Sequence, residues 1–339
     1  MDIRNRREMH SAAAAALETR QDQMKQILLI YLIIITALSL AASGVSMLLS
    51  DRIADTGGLR NMGLRSMLST AQTLLPLVQL VALMGLQLGY HHAALGVTRG
   101  ETVSRDRLFG GFRRFFPLLR AWLLQGMLYV AAGIASLYAS IYNFLLLPVS
   151  ATFRQTVTPL IANASVISGT ITLTEELVAA VSATVGPVLC IFAVLYLLLV
   201  IPMHYRYRMV IPRLIDQSRP RAFAALRESR FLMHRNRINL LKLDLSFWWY
   251  YVLQALASVI AYGDMLLPML GVQLPMSTTA AFFLFLILSL GLQFVTFYFF
   301  MNRVTVTYAV FYGALLEQQK QRSAPQPPVP VQEPQQEQV

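Results

Sequence analysis

The chain has 339 residues, of which 56% are hydrophobic and only 13% charged, about half the charged share of an ordinary soluble domain. Its net charge of +11 rests on 28 cations, 25 of them arginine, and these lie between long apolar runs instead of forming a basic domain, which argues against nucleic-acid binding. The single cysteine, Cys190, sits inside an apolar run, so no intrachain disulfide forms and the thiol reads as a small core residue.

Residues 1–26 are polar, and the alanine run Ala12 to Ala16 predicts a helix lying on the membrane surface. The first apolar run, Ile27 to Leu49, follows a basic start but is too long for the core of a cleavable signal. Five further runs follow: Leu68 to Leu95, Leu118 to Leu147, Leu177 to Ile201, Leu243 to Ala261 and Thr279 to Phe300. A bilayer core needs about 20 residues of helix, and barrel alternation is missing. The expected fold is therefore all-α: a polytopic bundle of about six transmembrane helices over residues 27–316.

Arginine and lysine alternate in density between these runs, with 24 on one side and four on the other. The positive-inside rule makes the first side cytoplasmic and puts both termini there. Trp122 and the Trp248-Trp249-Tyr250-Tyr251 cluster follow basic stretches and mark the cytoplasmic mouths of the third and fifth spans.

Two cytoplasmic loops share a plan of basic and aromatic residues. One runs from Arg105 through Leu108-Phe109-Gly110-Gly111-Phe112 to Phe116. In the other, Ala222, Leu226, Ser229 and Met233 recur at helical spacing after Ser218 and Pro220. Both predict interfacial amphipathic helices, whose arginines would attract anionic lipid headgroups. Residues 317–339 are rich in proline and glutamine and predict a disordered tail.

Catalytic patterns are mainly absent. No glycine-lysine pair exists for a phosphate loop, none of the histidines (His10, His91, His92, His204 and His234) opens an HExxH, and no GxSxG elbow occurs. Glu175-Glu176 resembles the paired glutamates of CAAX-type intramembrane proteases but lacks their following arginine, so helix-terminus chemistry accounts for it. His91-His92 point in different directions on a helix and read as interfacial. Gln72 and Gln79, seven apart with Pro76 between them, and Gln87 further on form a candidate intramembrane polar path. Interhelical hydrogen bonding explains the same glutamines without transport. No catalytic residue, cofactor or metal set can be named.

Leu226-Arg227-Glu228-Ser229-Arg230-Phe231-Leu232-Met233, leading into Leu243-Asp244-Leu245-Ser246-Phe247 and Trp249, resembles the basic helix and span start of the domain-of-unknown-function 975 family of bacterial integral membrane proteins. Thr307-Tyr308-Ala309-Val310-Phe311-Tyr312 is similar to that family's closing element, and the Phe109-Gly110-Gly111-Phe112 turn to a third. Asn302-Arg303 and Gly313 depart from the pattern. The resemblance implies a multi-pass protein of a bacterial cell membrane and no known reaction. It singles out Ser229, Arg230, Asp244, Ser246, Thr307, Phe311 and Tyr312. Asp244 is expected to pair with Arg230, Arg237 or Lys242. The function expected from these readings is that of a non-catalytic envelope organiser or regulator touching lipid and other membrane proteins; the alternative is a small-molecule or ion transporter or channel.

Overall fold

A computed structural model describes residues 5–55, 62–146, 155, 166–167, 170–171, 175–217, 221–269 and 277–323. The fold is all-α. Among the described residues five helical stretches are long and apolar enough to cross a membrane: Gln21–Ile53, Gly63–Thr98, Asp106–Phe144, Gly186–Asp216 and Thr279–Arg322. The chain divides into two compact units, one of Met1–Phe115, Ile211–Ser218 and Ile238–Val339, the other of Phe116–Val210 and Arg219–Arg237.

In the first unit, α1 (Arg6–Glu18) and α2 (Gln21–Asp55) are separated by a short turn at Thr19 and Arg20. Asn5 caps α1 by accepting from the Arg7 amide at 3.2 Å, satisfying one of the amides that a helix start leaves free. The alanines expected to lie on a membrane surface instead give α1 a face that packs on the last helix, with Met9 and Ala13 fully buried. Small side chains permit that close approach.

Helix α3 (Met62–Thr98) packs along α2 and carries Gly85 and Gly89 one turn apart. Against this groove lies the Phe-Gly-Gly turn, formed by α4 (Asp106–Phe109) and a 3₁₀ turn over Gly110–Arg114. A β-carbon on Gly89 would overlap the Leu108 carbonyl, and one on Gly111 would overlap the backbone of Gly85 and Gly89. The glycine pair of α3 and the Phe-Gly-Gly turn are thus the two halves of one backbone-to-backbone contact. Phe112 closes it by lying over Gly85.

The expected fifth span is not continuous. Helix α9 (Arg237–Ser246) ends before Phe247, and α10 (Trp248–Ala261) has 14 residues, about 21 Å of helix against a hydrocarbon core of about 30 Å. After Tyr262 the chain resumes as α11 (Gly263–Met269). Both α10 and α11 pack on α12 (Thr278–Thr296), and Gly263 lets the chain approach the Phe285 ring more closely than any side chain would. Trp248 and Trp249 stack at 3.7 Å between centroids on the exposed side of this break.

Helix α12 passes through a π-helical turn, Phe297–Met301, into α13 (Asn302–Ser323). Residues 317–323, expected to begin the disordered tail, are helical; the rest of that tail lies outside the described residues. Across the π turn the surroundings change. Val295, Phe299 and Ile287 are exposed, whereas Val304 to Ala309, Phe311, Tyr312, Ala314 and Leu315 are buried. Burial around most of its circumference makes α13 the core of this unit.

The second unit holds most of α5 (Phe115–Leu146), α6 (Glu175–Tyr207), a two-residue hairpin pairing Val166–Ile167 with Thr170–Ile171, and α8 (Ala222–Leu232). The short α7 (Val210–Asp216) joins α6 to the first unit's sequence. Helix α8 forms at the predicted spacing: Ala222, Ala225, Leu226 and Ser229 are buried, while Phe223 and Phe231 are exposed. Apart from the hairpin strands and residue 155, the segment 147–174 lies outside the described residues.

Candidate functional site

Two places in the first unit gather polar chemistry. The first surrounds α13. Tyr308 donates its hydroxyl hydrogen to the Asp244 carboxylate. That leaves the Tyr308 oxygen to accept, so Tyr251 is the donor in the 2.6 Å contact between the two phenols. Asp244 therefore takes a phenol as partner, not the guanidinium or ammonium groups expected from its basic neighbours. A phenol from the core helix reaches the end of α9, whereas Lys242 is exposed.

One turn on, Tyr312 donates to Asp216 at 2.8 Å, and Asp216 also forms an ion pair with Arg99. Arg114 donates to the Leu214 and Gln217 carbonyls at 2.9 and 3.2 Å and to that of Ile215, which satisfies the free carbonyls at the end of α7. At the start of α13, Asn302 accepts from the fully buried Tyr90 at 2.5 Å, and Tyr90 stacks on Tyr31 of α2. Four helices are thereby tied to α13 through hydroxyl groups.

Helix α1 joins the same cluster through His10. Ser246 donates to the Leu243 carbonyl at 2.6 Å, so its oxygen accepts from His10 Nε2 at 2.9 Å. That arrangement requires a proton on Nε2, while Nδ1 is buried and without a partner among the described residues. The His10 ring meets Phe247 edge-on at 4.9 Å. Burial, with Arg303 and Arg6 nearby, holds the His10 pKa below its ordinary value.

The residues singled out by resemblance thus fall into different roles. Asp244, Ser246, Thr307, Phe311 and Tyr312 meet at the base of the first unit: Phe311 is fully buried, and Thr307 donates back to the Arg303 carbonyl at 2.7 Å. Ser229 and Arg230 belong to the second unit. Ser229 is buried and donates to the Arg206 carbonyl at 3.1 Å, tying α8 to α6, while Arg230 is exposed. The sequence reading missed Asp216, Tyr90, Asn302 and His10. Asp216 had one visible signal: it is a lone carboxylate in the arginine-rich stretch between Tyr205 and Arg221.

The second place is a cavity of about 500 Å³ at the arginine-poor end of the helices. Ser43, Ser46 and Ser50 of α2, Gln79 of α3, Asp264 of α11 and Thr279 of α12 give it polar walls. Met47, Leu75, Pro76 and Phe282 supply apolar ones. Below it, Gln79 donates to Ser39 at 3.3 Å, and nearby Gln72 donates to Ser50 at 2.9 Å. Gln87 is exposed and is not among the residues lining the cavity. The three glutamines do not line one path.

Among the described residues no group of three His, Cys, Asp or Glu side chains is placed to hold a metal ion. No protein-family profile, curated protein or solved structure matches the chain. The family likeness rests on the residues quoted for it.

Proposed function

We propose that this chain is a non-catalytic integral membrane protein that organises or regulates other components of the envelope, and that it is a divergent relative of the 975 family. The observation that carries this reading is how the buried and half-buried polar groups are used. Tyr90, Tyr308, Tyr312, Asp244, Asp216 and Ser229 are each engaged with another part of the chain. A reaction site keeps such groups turned toward a substrate; here they fasten helices.

The topology proposed with it places the arginine-rich end in the cytoplasm of a bacterial cell. Packing of α1 against α13 supports both termini lying on one side, which requires an even number of crossings. Five long helices make an odd number, so α10 and α11 together serve as the sixth crossing, broken at Tyr262. On α8, Arg227 and Arg230 beside the exposed Phe223 and Phe231 are suited to anionic headgroups, with arginine charge and aromatic surface acting together.

Interhelical pairing of Gln72 and Gln79 supports the organiser over the conduction path. The test is twofold. Purified chain in liposomes should give no flux of ions or small solutes above empty liposomes, and mild detergent should recover it in constant ratio with the same membrane proteins. Saturable flux by the purified chain alone would overturn the reading in favour of a carrier.

A further inference from the structure

We propose that the cavity at the arginine-poor end is a binding site for an amphiphile that presents one ammonium-type cationic head and an apolar body. The volume of about 500 Å³ falls in the range of pockets that enclose small organic ligands. Its walls divide by chemistry. Ser43, Ser46 and Ser50 recur at one-turn and two-turn spacing, so their hydroxyls share one face of α2. Leu75 and Pro76 of α3, with Met47, make an apolar face.

Charge decides the class of ligand. Among the described residues Asp264 is the one ionisable residue in the lining, and no described lysine, arginine or histidine lines it to neutralise that charge. Among the described residues its carboxylate makes neither an ion pair nor a hydrogen bond, unlike Asp216 and Asp244 at the other end. A carboxylate beside an apolar wall attracts a cation more strongly than one in water does. Phe282 adds a ring whose face favours the same charge. An anion or a neutral polar solute would leave Asp264 opposed or unpaired.

The head could come from a free lipophilic amine or from the headgroup of phosphatidylethanolamine, and the experiment separates them. Full-length protein in phosphatidylglycerol nanodiscs is titrated with tetraphenylphosphonium in equilibrium dialysis, with tetraphenylborate as the anion of the same shape. Wild type should bind the phosphonium saturably and the borate only as empty nanodiscs do. Asp264→Asn should weaken phosphonium binding at least tenfold, and Asp264→Glu should retain it within a few-fold. Ser46→Phe, which fills the cavity without touching the charge, should abolish it and guards against a folding defect in the Asn variant.

A rise in apparent Kd when phosphatidylethanolamine is included, seen in wild type and not in Asp264→Asn, assigns the headgroup as occupant; an unchanged Kd assigns a free amphiphile. Undiminished phosphonium binding by Asp264→Asn, or equal saturable binding of the borate, would overturn the proposal.

Discussion

The two ends of the first unit share helices α2 and α3 and are built on opposite principles. At the arginine-rich end every buried hydroxyl and carboxylate named above has a partner, glycines bring backbones into contact, and aromatic side chains such as Tyr90, Phe311 and Tyr312 are wholly enclosed. At the arginine-poor end the helices surround a cavity whose carboxylate has no partner among the described residues. Lipid provides no hydrophobic force to draw spans together, so adhesion between helices comes from packing and hydrogen bonds, and these are concentrated at one end. Rigidity is placed where the termini meet, which leaves the other end free to form a cavity.

The comparison can be broken most sharply at the glycine groove. Gly89→Ala should lower stability by about 3 kcal/mol or prevent folding, because the added methyl meets a carbonyl that cannot turn aside; thermal unfolding in detergent reads this. Gly126, with open space around its β-carbon position, is the matched control and should change melting little. Phe311→Ala should cost about 3–5 kcal/mol by opening a void in the core. Phe282→Ala at the cavity should cost well under that, since part of its surroundings is already empty.

Hydrogen bonding comes next. Tyr308→Phe leaves Asp244 without its donor and should cost about 1–3 kcal/mol. Asp244→Asn should cost less, and the double variant should be no worse than Tyr308→Phe alone if the two act as a pair. A smaller effect is set by pH. Because His10 has a folded pKa below its free value of 6.5, its contribution is present in full above about pH 6.5 and is lost as the pH falls through the folded value. Limited proteolysis at Arg6, Arg7 and Arg20 should therefore quicken on acidification in wild type and show no such step in His10→Phe. Smallest of all, Gln79→Leu should cost about 0.6 kcal/mol, the average for a hydrogen bond between membrane helices.

These contrasts also explain what the sequence could disclose. Long apolar runs and the arginine asymmetry marked most of the spans, since length and composition alone decide whether a helix suits a bilayer. The break at Phe247 was hidden because Leu243 to Ala261 reads as one mainly apolar run despite Asp244 and Ser246. Its cause is tertiary: Asp244 is held by Tyr308, and Phe247 is buried between His10 and Tyr308. Partners of Asp216 lie 96 and 117 residues away, and no local pattern encodes such pairings. The cavity was equally hidden, because Asp264 lies just past an apolar run in the sequence and only the fold places it beside the serines of α2.

The central claim is that the chain's two ends are gathered into one packed cap on one side of the membrane, with α10 and α11 completing an even number of crossings. A direct test replaces Cys190 with serine and introduces single cysteines at the exposed positions Ser11 and Glu317, followed by labelling with a membrane-impermeant maleimide. The account predicts that both positions are protected in intact cells and that both react once the membrane is opened. Labelling of one from outside with the other protected would contradict it.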